Sequence, residues 1–114
     1  MARDLSFWKY KANVVAEDEA VYHELTSGAR VEGVEELPIK AVIADIKATF
    51  KDWEWTSETT LEKDQEMIEV FTTEQFVRFD CYSVTMEDMN RIIDIMAEYE
   101  CPLYDSSIST RFEL

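Results

Sequence analysis

The sequence contains few of the residues that interrupt regular structure or perform common chemistry. Only two glycines, two prolines, two cysteines and one histidine occur among its 114 residues. So little glycine and proline favours regular helices and strands joined by short connections, and it leaves no glycine-rich loop for a phosphate group. Cys81 and Cys101 form no Cys-x-x-Cys pair, so neither a zinc site nor a disulfide scaffold is expected, and a reducing cytoplasm fits better.

Long apolar runs are missing as well. No run approaches the roughly 20 residues needed to cross a bilayer, and the stretch after Met1 does not lead into the apolar region of a signal peptide. Hydrophobic residues nevertheless make up 46% of the chain and aromatic residues 12%, which is enough to bury a core. We therefore expect a single cytoplasmic domain over residues 1–114.

Basic residues are scarce beside the acids, and the formal net charge is −14. Residues 1–51 hold nine of the 25 acids and seven of the 11 bases, which leaves 16 acids and four bases for residues 52–114. This charge would repel nucleic acid and anionic membranes, so neither is expected as a partner. It would attract a basic protein, although acidity also serves solubility alone.

The acids are densest between Asp52 and Glu74, where Lys63 is the only base, and more follow on the last predicted helix. A localised negative surface of this kind is typical of a protein that binds a basic partner. The predicted partner-binding residues are Asp52, Glu54, Glu58, Glu62, Asp64, Glu66, Glu69, Glu74, Asp94, Glu98 and Glu100.

Three segments have helical periodicity. The first spans Ala16–Thr26, the second opens at Pro38, and the third follows Thr85, with Asp88 three residues later as in a capping box. Each has one apolar stripe, so each is expected to pack on one side only. The clearest stripe, in the second helix, consists of Ile39, Val42, Ile43, Ile46 and Phe50.

Other segments alternate with a period of two, as strands do. They are Leu5–Lys11, the Trp53–Trp55 stretch, the segment around Ile68 and Val70, Phe76–Tyr82 and a closing strand within Leu103–Phe112. The short Thr72–Gln75 connection predicts an antiparallel hairpin, and the polar run from Thr56 to Asp64 predicts a loose connection. Together these elements predict an α+β two-layer sandwich. Its mainly antiparallel sheet would have four to five strands and three helices on one face, with a ferredoxin-like arrangement as one form.

Groups for catalysis are not assembled by any motif. His23 lies on the first predicted helix without a nucleophile tied to it, and Cys81 alternates with Val77 and Phe79 on an apolar strand face, where a buried thiol is inert. The acid-rich stretch from Ser57 to Asp64 lacks the spacing of an EF-hand or another metal motif. We therefore expect that the protein is not an enzyme and that it binds neither a metal nor a cofactor.

Tryptophan is the residue most open to a binding interpretation. Trp8, Trp53 and Trp55 could anchor an interface or line a ligand pocket, since tryptophan is enriched at binding hot spots. A packed core beneath the helices explains them more simply. A tryptophan on the sheet face away from the helices would be the exception.

Several runs resemble small bacterial immunity proteins, the cytosolic antidotes of polymorphic toxin and contact-dependent growth inhibition systems. They are F-W-K-Y at residues 7–10, F-V-R-F-D-C-Y at 76–82, and M-N-R-I-I-D-I-M with C-P-L-Y-D between 89 and 105. The resemblance extends over much of the chain in length, order and acidity. It implies a stoichiometric inhibitor that neutralises a cognate toxin, often a nuclease with a basic active site.

Two other hypotheses stay open at this point. One is a nucleic-acid mimic that inhibits a DNA- or RNA-binding protein, which requires carboxylates spaced like phosphates on an exposed face. The other is a small-ligand-binding domain or minor enzyme, which requires a concave pocket with convergent polar groups.

Overall fold

Three helices and seven strands form along residues 2–114, the part of the chain that the computed structural model describes. The strands belong to one sheet and all neighbouring strands are antiparallel. In chain order the elements are β1 (Ala2–Phe7), α1 (Asp18–Thr26), α2 (Ile39–Thr49), β2 (Glu54–Trp55), β3 (Thr60–Lys63), β4 (Glu66–Thr72), β5 (Val77–Tyr82), α3 (Met86–Glu98), β6 (Leu103–Asp105) and β7 (Thr110–Arg111).

The sheet order is β2-β3-β4-β5-β1-β6-β7, which places β5 at the centre with β1 beside it. The α+β class and the antiparallel β4–β5 hairpin are confirmed. The expected strand number of four to five is wrong, because the polar run from Thr56 to Asp64 contains β3 and the closing segment contains both β6 and β7. Within β3 only Leu61 is buried, so the apolar alternation is too weak to identify the strand. Its pairing with β4 supplies the hydrogen bonds that hold it.

The main core lies between one face of the sheet and helices α2 and α3. Leu5 of β1, Phe79 of β5 and Val70 of β4 lie side by side in the register and are buried. Side chains from both helices, including Ile46 and Ile92, pack over them in one cluster. Since apolar burial is the main stabilising term in folding, this contact fixes both helices on the inner face of the sheet.

Helix α1 lies on the opposite face, so the expectation that all three helices cover one face is wrong. Trp8 and Tyr104 point away from the main core because they alternate with Phe7 and Leu103 along their strands. Leu25 of α1 is fully buried with them, and Tyr22 stacks on Tyr104 at 4.9 Å between ring centroids. This second cluster, which is rich in aromatic residues, is the surface on which α1 packs.

Local sequence signals at the helices and tryptophans agree with the structure. Thr85 caps α3, and its hydroxyl accepts a hydrogen bond from the backbone N–H of Asp88 at 3.1 Å. Trp8 and Trp53 are buried, as the core interpretation predicts. Trp55 is half-buried on the edge strand β2, where the Lys47 ammonium lies 5.0 Å from the centre of its ring.

Candidate functional site

The outer face of strands β2 to β5 is the most strongly charged part of the sheet that α1 leaves open. Side chains directly opposed in an antiparallel register lie on the same face. One row across the strands runs from Glu54 through Glu62 and Met67 to Tyr82. A parallel row runs from Thr60 through Glu69 and Asp80 to Asp4. We call the surface formed by Glu54, Glu62, Met67, Glu69, Asp80 and Tyr82 the open sheet face.

Like charges oppose each other directly on this surface. Glu54 faces Glu62 across β2 and β3, and Glu69 faces Asp80 across β4 and β5. Opposed residues have Cβ atoms about 4.5–5.5 Å apart, and like charges in that position are destabilising. The register therefore holds acids together at a free-energy cost that folding alone does not require.

Few cations compensate this charge. Within residues 2–114, Glu54, Glu62 and Glu69 form no ion pair. Asp80 does pair with the Arg78 guanidinium at 3.1 Å, at the border with α1. That guanidinium also lies over the Phe71 ring and donates to the Thr26 hydroxyl.

An apolar pair interrupts the acids. Met67 and Tyr82 oppose each other across β4 and β5, and both are half-buried. Among the described residues they belong to neither buried cluster. Glu62 lies beside Met67 across β3, and Glu69 and Asp80 follow two residues along the strands on the same face. The open sheet face thus combines an apolar pair with carboxylates on its β3 side and at one of its ends.

The other predicted partner-binding residues lie off the rows of the open sheet face, although Asp52 and Asp64 line a hollow with Glu54 and Glu62 at its β2–β3 edge. Asp52 pairs with Lys63 at 2.7 Å, and this ion pair lowers the pKa of the Asp52 carboxyl. Glu58 and Asp64 are exposed in the turns that flank β3. Glu66 accepts a hydrogen bond from the Thr85 N–H at 3.1 Å, and burial raises the pKa of its carboxyl.

Two of the remaining predicted residues are neutralised by distant bases. Glu74, in the β4–β5 turn, pairs with Arg30 at 3.2 Å, and Glu100 pairs with Lys9 at 3.2 Å. Both lie off the open sheet face. Of the eleven predicted residues, Glu54, Glu62 and Glu69 therefore lie on that face, and Asp52 and Asp64 lie beside Glu54 and Glu62 at its edge.

Asp94 and Glu98 line a shallow groove of about 350 Å³ between α2 and α3. Asp45 and Arg91 complete its polar lining, and the Arg91 guanidinium donates to the backbone carbonyl of Thr49. The Asp45 carboxylate accepts a hydrogen bond from Tyr99, which raises the pKa of that phenol to about 12. Asp45 and Arg91 are thus held by neighbouring groups. Asp94 and Glu98 are exposed and form no ion pair within residues 2–114.

Sequence reasoning missed three residues of the open sheet face, namely Asp80, Met67 and Tyr82. The alternation along β5 places Asp80 on the face opposite Val77 and Phe79. The alternation within one strand does not give the register between strands, and it is the register that sets Asp80 beside Glu69 of β4. The density of acids along the chain predicts only part of this surface, because the pairing of strands determines which carboxylates lie next to each other.

The cysteines and the histidine are poorly placed for chemistry. Burial raises the pKa of the Cys81 thiol to about 12 and that of Cys101 to about 11, so both remain protonated at neutral pH. The exposed His23 lies 3.8 Å from the Glu19 carboxylate on the next turn of α1. Across residues 2–114, no three His, Cys, Asp or Glu side chains converge as metal ligands would.

Comparisons of the chain with protein families, with curated proteins and with solved structures find no match. None of the helices in residues 2–114 combines the length and apolar character needed to span a membrane. The functional argument therefore rests on the geometry of the open sheet face.

Proposed function

We propose that this protein is a cytoplasmic immunity protein that binds a cognate bacterial toxin and neutralises it. The observation that carries the proposal is the opposition of like charges on the open sheet face, Glu54 against Glu62 and Glu69 against Asp80. Such an arrangement destabilises the free sheet, and a basic partner would relieve the repulsion. A binding function explains why these acids are held together, whereas solubility would be served by dispersed acids.

A nuclease toxin is the partner that the charge fits best. Its active site must attract phosphates, so it presents basic residues, and an acidic surface can occupy the same electrostatic field. Opposite charges raise the association rate and reject acidic competitors. The rate of dissociation then depends on the few contacts that become buried.

The apolar pair favours a toxin inhibitor over a nucleic-acid mimic. A mimic requires uninterrupted carboxylates spaced like phosphates, but in the row that begins at Glu54 the acids stop at Glu62, and Met67 and Tyr82 follow. An apolar centre with a charged border is instead the usual composition of a protein–protein interface.

The proposal is tested by charge reversal at matched net charge. One variant combines Glu54→Lys, Glu62→Lys and Glu69→Lys. The control combines Glu24→Lys, Glu32→Lys and Glu113→Lys, at exposed positions away from the open sheet face. Each variant is co-expressed with the C-terminal domain of the protein encoded immediately upstream, and co-purification and bacterial growth are measured.

We expect the wild type and the control to co-purify with that domain and to protect growth. The variant reversed on the open sheet face should lose both properties. Equal protection by the two variants would refute the role of this surface. Failure of the wild type to bind or protect would refute the immunity function itself.

The finer description of the fold also belongs to this proposal. We infer a ferredoxin-like core made of β1, α2, β4, β5, α3 and β6, because these elements follow the β-α-β-β-α-β order. Their spatial order, β4-β5-β1-β6, is continuous within the sheet. Strands β2, β3 and β7 and helix α1 are then additions, and two of the added strands carry Glu54 and Glu62.

A further inference from the structure

We propose that the open sheet face recognises a protein segment with an apolar side chain flanked by arginines or lysines, and that the apolar side chain sits on the Met67–Tyr82 pair. The identity of the partner as a toxin rests on the proposed function, but the chemistry of the segment is read from the surface. The partner is thereby defined by an apolar anchor as well as by its charge.

The first argument is the position of the apolar pair. Met67 and Tyr82 are opposed across β4 and β5, next to the acids of β2 and β3. Helix α1 covers only the β1 side of this face. There the Tyr22 hydroxyl donates a hydrogen bond to Asp4, and the Thr26 hydroxyl accepts one from Arg78. The side chains of Met67 and Tyr82 consequently remain only half-buried, on a face that no helix covers at this point.

The second argument is the set of carboxylates beside the pair. Glu62 borders Met67 on the β3 side, and Glu69 and Asp80 lie at one end of the pair along β4 and β5. Arg3 and Arg78 line the hollow on the β1 side of Tyr82. A cation placed on the β3 side of an apolar anchor, or at the end next to Glu69, would therefore meet a carboxylate. Removing water from the centre would strengthen each of these charge contacts, because the local dielectric constant falls.

The third argument is the chemistry of the two side chains. Methionine has a flexible, polarisable side chain that adapts to the shape of an apolar partner. Tyrosine offers a rigid ring with a polar tip, and it is enriched at binding hot spots. Among the described residues, the Tyr82 hydroxyl makes no hydrogen bond to another side chain, so it is free to donate at the edge of the contact.

Two arginine-rich peptides serve as probes. They differ only at a central position, which is leucine in one peptide and serine in the other. Affinities for the full chain are measured by calorimetry at low salt concentration. Partial burial of the leucine should make the leucine peptide bind about tenfold more tightly than the serine peptide.

Variants of the chain assign this preference to the apolar pair. Met67→Thr keeps a side chain suited to a strand and should reduce the leucine-to-serine preference from about tenfold to about twofold or less. Ile108→Thr is the matched control, because Ile108 is 58% exposed and lies in the β6–β7 turn; it should retain the full preference. Glu62→Gln with Glu69→Gln should weaken both peptides alike. Thermal unfolding confirms that each variant is folded.

Each result decides a different question. Equal affinity for the two peptides, or a preference that survives Met67→Thr, would overturn the anchor and leave only charge attraction. No binding of either peptide would overturn recognition of a basic segment altogether. A tenfold preference from a chain that fails to neutralise the upstream-encoded domain would support the anchor while refuting the immunity function.

Discussion

Glu69 of β4 and Asp80 of β5 face each other directly in the antiparallel register, on the side of the sheet that α1 leaves open. Asp80 has a neighbouring cation in Arg78, whereas Glu69 is exposed and forms no ion pair within the described residues. The same carboxylates that would attract a basic partner therefore repel each other in the free protein.

Neutralising Glu69 should stabilise the free protein. Glu69→Gln removes the repulsion with Asp80 and keeps the size of the side chain, so the free energy of unfolding should rise by about 0.2–1 kcal/mol. Because added salt screens exposed charges, this increase in the free energy of unfolding should be smaller at high salt concentration. Urea unfolding at low and high salt concentration measures both effects.

Glu32→Gln is the control for this substitution. Glu32 is exposed in the connection between α1 and α2 and forms no ion pair within the described residues. Its neutralisation changes the net charge equally but should leave stability within about 0.5 kcal/mol of the wild type. A loss of stability in Glu69→Gln would contradict the repulsion argument.

Asp105 should make stability depend on pH in the acidic range. Burial opposes its ionisation, but hydrogen bonds from Ser107 and the Arg3 guanidinium, 2.8 Å away, outweigh burial and hold the pKa below its ordinary value of 3.8. Because the folded pKa is the lower one, the stabilisation is fully present above the unfolded pKa. It is lost as the pH falls through the folded pKa.

Asp105→Asn should therefore lower the free energy of unfolding by about 1–3 kcal/mol at neutral pH. In acid, the free energies of unfolding of the variant and the wild type should become more similar. Urea unfolding over a pH series provides the measurement. Asp64→Asn, at an exposed turn position with a positive φ of 55° that asparagine also tolerates, is the control. A wild-type advantage that persists unchanged at the lowest pH would count against this assignment.

Gln75 should be one of the most sensitive polar residues. It is buried, and its side-chain oxygen accepts a hydrogen bond from the Val31 N–H at 2.8 Å. Its side-chain nitrogen donates to the carbonyl oxygens of Val31 at 2.8 Å and Val34 at 2.9 Å. Gln75→Leu leaves three backbone groups without this partner, so unfolding should become easier by about 2–4 kcal/mol. The exposed Gln65 provides the matched control, Gln65→Leu, which should change chemical-denaturation midpoints little. Similar losses in both variants would argue against the hydrogen-bond network.

Both native thiols should resist modification in the folded protein. Cys81 and Cys101 are buried and their pKa values are raised, so little thiolate is present at neutral pH. A thiol-specific reagent should react with them only after unfolding. Ala44→Cys, at an exposed position of α2, should react at once in the folded state and shows that the reagent is active. Rapid native-state labelling of Cys81 would be incompatible with the buried strand face.

The amino-acid pattern determined the elements whose signals are local. The stripe of α2 buries Val42, Ile46 and Phe50, Thr85 caps α3, and Ile68 and Val70 share the buried face of β4. These features depend on spacing within one segment, and the periods of 3.6 and 2.0 residues report that spacing directly.

Only the tertiary structure decided the face covered by α1, the existence of β3 and the composition of the open sheet face. Periodicity shows which residues of one element share a side, but it does not show which strand lies beside it. The contact of Tyr22 with Tyr104 joins residues far apart in the chain, and it follows from the packing of two separate apolar clusters on the two faces of one sheet. Glu69 and Asp80 belong to one predicted hairpin, but only the register of its two strands sets these two acids directly opposite each other.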